Sequence, residues 1–201
     1  MMTRMTTLPA FLCLAMSLAV FADEKKKGDD RSGMDLPNSD FRNKVFPDNS
    51  TFEDAELKES NFTHAIAKGA VFVSATLTGV IMTSTDLTGA DLRKAKVDKI
   101  YLKDTNLMGA NLEGLDLTDA DAFTRVNLRG ANLKNLKGIG EINECSFFGA
   151  DLRGANLTQM KDVSRIKSNF RKAKYDKATS WPKGFDPVEA GAVLVTEETK
   201  K

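Results

Sequence analysis

The sequence predicts a repetitive solenoid, and three observations carry this prediction. Candidate core residues recur at every fifth position from Phe52 to Leu117, a spacing that matches neither an α-helix nor a flat β-strand. A small residue lies two places before nearly every one of them, and glycines recur about once in four repeats. A fixed repeat sets the whole architecture of a chain. The candidate core residues are Phe52, Leu57, Phe62, Ala67, Phe72, Leu77, Met82, Leu87, Leu92, Val97, Leu102, Leu107, Leu112 and Leu117.

The motif Ala-(Asp/Asn)-Leu recurs in phase, beginning at Ala90, Ala110, Ala131, Ala150 and Ala155. These segments resemble the unit of the pentapeptide-repeat family, and the resemblance covers roughly residues 36–176. It implies an all-β fold, a right-handed quadrilateral β-helix in which each pentad forms one side and four pentads complete a coil. The central residue and the small residue two places before it would face inward, and the other three would face solvent.

One column of glycines supports four pentads per coil. Each glycine follows a fourth-side centre by two places, where a corner would need positive φ or close backbone approach. Their spacings are 20, 20, 21 and 24 residues. The column is Gly69, Gly89, Gly109, Gly130 and Gly154.

Three intervals are longer than five residues. The six residues from Leu117 to Phe123 predict a one-residue bulge. Two nine-residue intervals predict segments 134–141 and 158–165, which we expect to leave the coil on the same side, one turn apart. They are either a duplicated harmless loop or a ridge that contacts a partner. Their candidate contact residues, which recur at three-residue intervals, are Leu136, Ile139, Met160 and Val163.

Outward apolar residues form a second candidate surface. Ile81 and Tyr101 occupy equivalent places on the third side, and Phe148 is expected further along the same side. Such a strip can seat the chain's own tail, reflect chance or bind a partner.

The N-terminal residues are interpreted as a targeting signal rather than as part of the fold. Arg4, a short apolar run and Ala22 at its end predict a signal peptide over residues 1–22, and the alternative is an uncleaved anchor. Residues 23–33 are charged and are expected to form a disordered tether. The protein is therefore expected to be exported, to the periplasm or the extracellular space, with no membrane segment beyond the leader.

The β-helix is predicted over residues 34–176, with residues 34–49 as a distorted first coil or cap. Residues 177–201 are predicted to form a C-terminal cap and tail. The stretch from Tyr175 to Pro187 resembles an ending found in many pentapeptide-repeat proteins, and Trp181 and Phe185 are suited to covering an open core. Val193 to Val195 can add an edge segment.

Charge and cysteine content restrict the function. The 201 residues include 29 basic and 28 acidic ones, for a net charge of +1. So neutral a chain lacks the broad field that would hold nucleic acid or an anionic membrane. Loss of the leader would leave Cys145 as the only cysteine, and its inner place predicts a small buried residue rather than a redox group.

No catalytic, cofactor-binding or metal-binding residues are predicted. The single histidine, His64, faces outward, and Gly138-Ile139-Gly140 is too short for a phosphate cradle. The recurring Asp and Asn before each centre are interpreted as polar corner groups.

The sequence therefore predicts an exported, non-enzymatic solenoid that serves as a structural or protein-interaction module for an unknown protein partner. The alternatives are a topoisomerase-binding DNA mimic, a role that some members of the resembled family play, and a carbohydrate-binding β-helix.

Overall fold

The chain folds into a four-sided parallel β-helix. The computed structural model describes residues 28–162 and 167–196, so the expected signal peptide and Val163 lie outside the described residues. One column of parallel bridges traces successive coils at intervals of 19 to 23 residues, and its nine residues mark eight turns among the described residues. The column is Asp30, Thr51, Val71, Asp91, Asn111, Asn132, Asp151, Lys174 and Val193.

Each coil has four sides, numbered here from the side whose centre is Phe52. Side 2 of that coil is centred on Leu57, side 3 on Phe62 and side 4 on Ala67, and all four centres are buried. The buried centres and the small residues before them form one continuous core. The predicted all-β, four-sided architecture is confirmed.

Most sides are held by a single bridge, because each pentad turns immediately after its centre. The turns place the residue two after the centre at positive φ, as at Gly69 (63°) and Asp54 (56°); Asn49 (61°) takes the equivalent place after Phe46, three residues on because that side has one extra residue. Gly69 lies over Asn49, and an added Cβ would approach the Asn49 Oδ1 to 2.6 Å. Glycine is favoured there by both conformation and space.

Within the part of the chain that the structure describes, strands of two or three residues form from Phe123 onward. They are β1 (Phe123–Thr124), β2 (Glu141–Asn143), β3 (Lys161–Asp162), β4 (Lys174–Tyr175) and β5 (Val193–Leu194). The order β1-β2-β3 makes one parallel sheet, and β4 pairs with β5 in parallel. Thr124 pairs with Lys103 at an interval of 21 residues, which agrees with the predicted bulge before Phe123. No helix among the described residues is long and apolar enough to cross a membrane.

The N-terminal end begins earlier than expected. The prediction of a disordered tether over residues 23–33 is wrong for residues 28–33, because the amides of Arg31 and Gly33 donate to the second coil. Arg31 occupies a centre position, pairs with Asp29 at 2.7 Å and places its guanidinium 5.5–5.9 Å from three phenylalanine rings. The cation therefore covers the open aromatic end of the core. Those rings belong to Phe41, Phe46 and Phe52.

An aromatic cluster closes the C-terminal end. Trp181 stacks on Phe185 at a centroid distance of 5.0 Å, and both rings contact Phe170, which is stacked on Phe147 at 4.6 Å. The bridge between Asn156 and Ser180 carries the coil beyond residue 176. The cap predicted from Trp181 and Phe185 and the edge segment at residues 193–195 are both present.

Candidate interaction surface

The two segments expected to form a ridge lie on different sides of the rod. Lys137 forms parallel bridges with Asp116 and Asn156, which belong to side 2 of the coils below and above. The segment between Leu133 and Ile142 therefore contains a complete side 2. The second segment continues into β3, which pairs with β2 on side 3. The prediction that segments 134–141 and 158–165 leave the coil on one side is therefore wrong. The five-residue pattern of apolar residues does not reveal this side, because its central residue is Gly138, which has no side chain.

The expected ridge residues are part of the core. Leu136, Ile139 and Met160 are 0%, 1% and 4% exposed, respectively, so these three cannot form the predicted contact surface. Leu136 occupies the inner place before Gly138, and Ile139 packs into the core beside it. Val163 lies outside the described residues.

The pair Ile81 and Tyr101 lies on side 3, as expected. The two residues are bridged on adjacent coils, and the Tyr101 side chain is 44% exposed while Ile81 is half-buried. Their amides donate to carbonyls one coil below, each at 3.0 Å. This backbone ladder holds an apolar strip on a rigid face.

Phe148 follows the side-4 centre Phe147, so its predicted place further along side 3 is wrong. Because the side centred on Gly138 was not counted, every residue after it was predicted to lie one side away from its actual side. For the same reason Arg153 and Gly154 lie on side 1, and Gly149 continues the column of corner glycines.

The aromatic ring of Phe148 lies between two cations. The Arg129 guanidinium is 4.8 Å from its centroid, and the Lys172 Nζ is 5.4 Å away. Arg171 follows the next side-4 centre, Phe170, by one place, as Phe148 follows Phe147. This arrangement was missed because it depends on the true count of sides. We call Arg129, Phe148, Arg171 and Lys172 the side-4 patch.

The recurring aspartates and asparagines act as polar corner groups, as predicted. Asp151 accepts hydrogen bonds from the Arg153 side chain, at 2.6 and 2.9 Å, and lies 3.6 Å from Lys134. Burial raises the pKa of Asp151, but the hydrogen bonds and charge of Arg153 outweigh it and leave the pKa below its usual range. Asn106 and Asn127 extend a ladder of amide hydrogen bonds above Asp86.

The remaining sequence candidates have structural roles. His64 is an exposed turn residue at φ 59°, and the amide of Gly138 donates to the Asn156 carbonyl at 3.0 Å. Within residues 28–162 and 167–196, no group of His, Cys, Asp and Glu side chains is arranged to hold a metal ion.

Comparison with known families gives one match. The family model for pentapeptide repeats matches eight copies, within residues 55–93 and 85–121. At the sequence level, no curated protein is significantly similar to the chain.

Several solved structures are similar to this chain, among them QnrB1, HetL and a plant protein. QnrB1, a plasmid-mediated fluoroquinolone resistance protein, is 21% identical, with 83% of this chain and 77% of QnrB1 covered and a TM-score of 0.42. HetL, involved in heterocyst differentiation regulation in the cyanobacterium Nostoc, is 19% identical, with 93% of each chain covered and a TM-score of 0.27. A pentapeptide repeat protein of the Arabidopsis thaliana thylakoid lumen is 30% identical over 65% of this chain and 70% of its own, with a TM-score of 0.23. Because all three TM-scores lie below 0.5, we draw no functional conclusion from these proteins.

Proposed function

Because the chain belongs to the pentapeptide-repeat family, we propose that it is an exported, non-enzymatic module that binds a protein partner. Proteins of this family form right-handed quadrilateral β-helices and are generally structural or interaction proteins. A solenoid of this kind offers long, rigid faces on which outward side chains keep fixed positions.

The observation that carries the proposal is the apolar strip of Ile81 and Tyr101 on side 3. Bridged backbones hold the two side chains on adjacent coils, about 4.8 Å apart along the rod. An exposed tyrosine presents a large apolar area at low cost in conformational entropy, and tyrosines are enriched where proteins bind one another.

Export is the second part of the proposal, and the sequence of residues 1–22 supports it. N-terminal sequencing of the protein recovered outside the cytoplasm of its native host tests this part. We expect the mature chain to begin near residue 23. An intact Met1 on a cytoplasmic product would contradict export.

Affinity capture from the exported fraction tests the binding role. The wild type is compared with the double variant Ile81→Ser/Tyr101→Ser, and with Val71→Ser/Val73→Ser on side 1 as a matched control. The control residues are outward and half-buried. We expect one partner to be retained by the wild type and the control and lost from the side-3 variant. Equal capture by all three proteins would contradict a contact through Ile81 and Tyr101.

The alternative of a DNA mimic has less support. A DNA mimic needs a face lined with carboxylates, whereas Asp91 and Asp151 are each paired with an arginine at 2.6–2.7 Å. Side 4 presents Arg129 and Arg171 instead. A carbohydrate-binding role is separated from protein binding by a glycan array, on which the proposed module should retain no glycan.

A further inference from the structure

The side-4 patch joins three consecutive coils through a continuous backbone ladder. The amide of Gly130 donates to the Phe148 carbonyl at 2.9 Å, and the amide of Gly149 donates to the Arg171 carbonyl at 3.0 Å. Arg129 and Arg171 therefore lie two coil spacings apart, about 10 Å, with Phe148 between them. Rigid backbones hold this spacing before any ligand arrives, so little ordering is required on binding.

The patch is positively charged and has no carboxylate of its own. None of the ion pairs among the described residues involves Arg129, Arg171 or Lys172. All three side chains are exposed, and the ring of Phe148 is half-buried. The outward residues of side 4 between Asn106 and Asn169 are neutral apart from Arg129, whereas Arg171 also lines a pocket with Asp162, Asp186 and Glu189.

The chain as a whole carries a net charge of only +1, so this concentration of cations is local. The adjoining side 1 extends it with Lys134 and Arg153, which both pair with the carboxylate of Asp151, at 3.6 and 2.6 Å. Local positive charge of this kind selects a negatively charged partner and sets its orientation.

We propose that the side-4 patch binds an extended acidic peptide segment of a protein partner. This inference rests on the proposed function and names the chemistry of the partner. A strand rises about 3.3 Å per residue, so about three residues span the distance from Arg129 to Arg171. Guanidinium groups pair with carboxylates through two parallel hydrogen bonds. The Phe148 ring offers an apolar surface to a side chain between the acidic residues.

Charge complementarity favours a peptide over nucleic acid or a membrane. Nucleic-acid binding without sequence preference draws on a positively charged groove that tracks many phosphates and on several stacking aromatics. The patch has three cations and one aromatic ring. Anionic membranes are held by larger basic clusters.

Fluorescence anisotropy with the full chain tests the inference. The probe is a dye-labelled peptide in which Glu recurs at every third position with Phe between, and the comparison probe replaces each Glu with Lys. The patch variant is Arg129→Glu/Arg171→Glu/Lys172→Glu. The matched control is Lys96→Glu/Lys99→Glu/Lys103→Glu, which changes net charge equally at exposed places on sides 2 and 3. Circular dichroism establishes that both variants keep the fold.

We expect the Glu-Phe peptide to bind the wild type and the patch variant to bind it at least about tenfold more weakly, with the control within about threefold of the wild type. Phe148→Ala should weaken binding while leaving the dependence on salt unchanged, because it removes apolar contact and no charge. Equal weakening by both charge variants would overturn the inference, since net charge alone would then account for binding.

Two further probes address other classes of partner. An oligothymidine of about twelve nucleotides and vesicles that contain anionic lipid are measured under the same conditions. Tighter binding of either probe than of the peptide, lost in the patch variant, would overturn the choice of a peptide. If the peptide does not bind while partner capture still depends on Ile81 and Tyr101, the patch inference fails and the proposed function stands.

Discussion

The thiol of Cys145 donates to the carbonyl oxygen of Phe123, one coil below, at an Sγ···O distance of 3.3 Å. Thr105 stands in the same column and donates its hydroxyl to the Met82 carbonyl at 2.6 Å. Cys145 is therefore a buried small residue, as predicted, and also takes the hydrogen-bonding place of a threonine.

We expect Cys145 to be unreactive in the folded protein. Burial raises the pKa of its thiol, so the reactive thiolate is scarce at neutral pH. A bulky thiol reagent should label the native protein slowly and the denatured protein rapidly. Cys145→Ala should lower the free energy of unfolding by about 1 kcal/mol, for the lost hydrogen bond. Rapid labelling of the native protein would contradict burial.

Leu112→Asp should strongly destabilise the solenoid, and Glu113→Ala should change its stability little. Leu112 is buried, and its replacement removes about 1.5–3 kcal/mol of burial energy and adds the cost of a buried carboxylate. Glu113 is exposed, and its side chain accepts a hydrogen bond from Asn132 at 3.0 Å and interacts electrostatically with Arg93. Urea unfolding measures both variants, and equal midpoints would contradict the inward assignment of Leu112.

Gly138→Ala should cost about 1–3 kcal/mol of stability, whereas Gly140→Ala should be nearly neutral. Gly138 has φ +61°, and an added Cβ would meet the Thr118 Cα at 2.8 Å. An added Cβ at Gly140 would meet no atom within 4 Å, and its φ is not positive. Thermal unfolding measures the stability of both variants. A smaller loss of stability in Gly138→Ala than in Gly140→Ala would contradict the close approach of Gly138 to Thr118 on the neighbouring coil.

The Asp40 carboxylate should titrate far below its usual range. Hydrogen bonds from the Arg42 side chain, at 2.6 and 2.8 Å, lower its pKa from 3.8 to about 2. A lowered pKa stabilises the fold above pH 3.8, and the contribution is lost as the pH falls through about 2. In Arg42→Gln, carboxyl NMR should show the Asp40 pKa rising toward 3.8. Arg129→Gln, remote from this pair, should leave it unchanged.

Trp181→Ala should loosen the C-terminal coils selectively. Trp181 stacks on Phe185 and contacts Tyr175 at 5.6 Å, so its loss should cost about 3 kcal/mol. Each coil contacts only its neighbours, so hydrogen exchange should accelerate around Leu152 and remain slow around Phe62. Trp181→Phe is the matched control, and uniform acceleration along the rod would contradict local capping.

The period of five predicted the interior from Phe52 to Leu117. Every candidate core residue there is buried except Val97, which packs half-buried against the core. The prediction succeeded because the inward position is set within each pentad and does not depend on how the neighbouring pentads are arranged. Arg31 escaped prediction because an inward place was expected to be apolar. Among the described residues no coil lies beyond that place, so the cation there packs over the aromatic rings of the core.

The side on which each outward residue lies could not be predicted after Leu133. Hydrogen bonds between coils, such as that from the Lys137 amide to the Leu115 carbonyl at 2.9 Å, establish a side even where its centre is glycine. The sequence pattern depends on apolar side chains. It therefore could not detect the side centred on Gly138, and the count of sides was short by one. The repeat was enough to predict the cross-section of the rod. The contact between Arg129 and Phe148 could be recognised only from the tertiary structure, because it depends on backbone pairing between residues 19 positions apart.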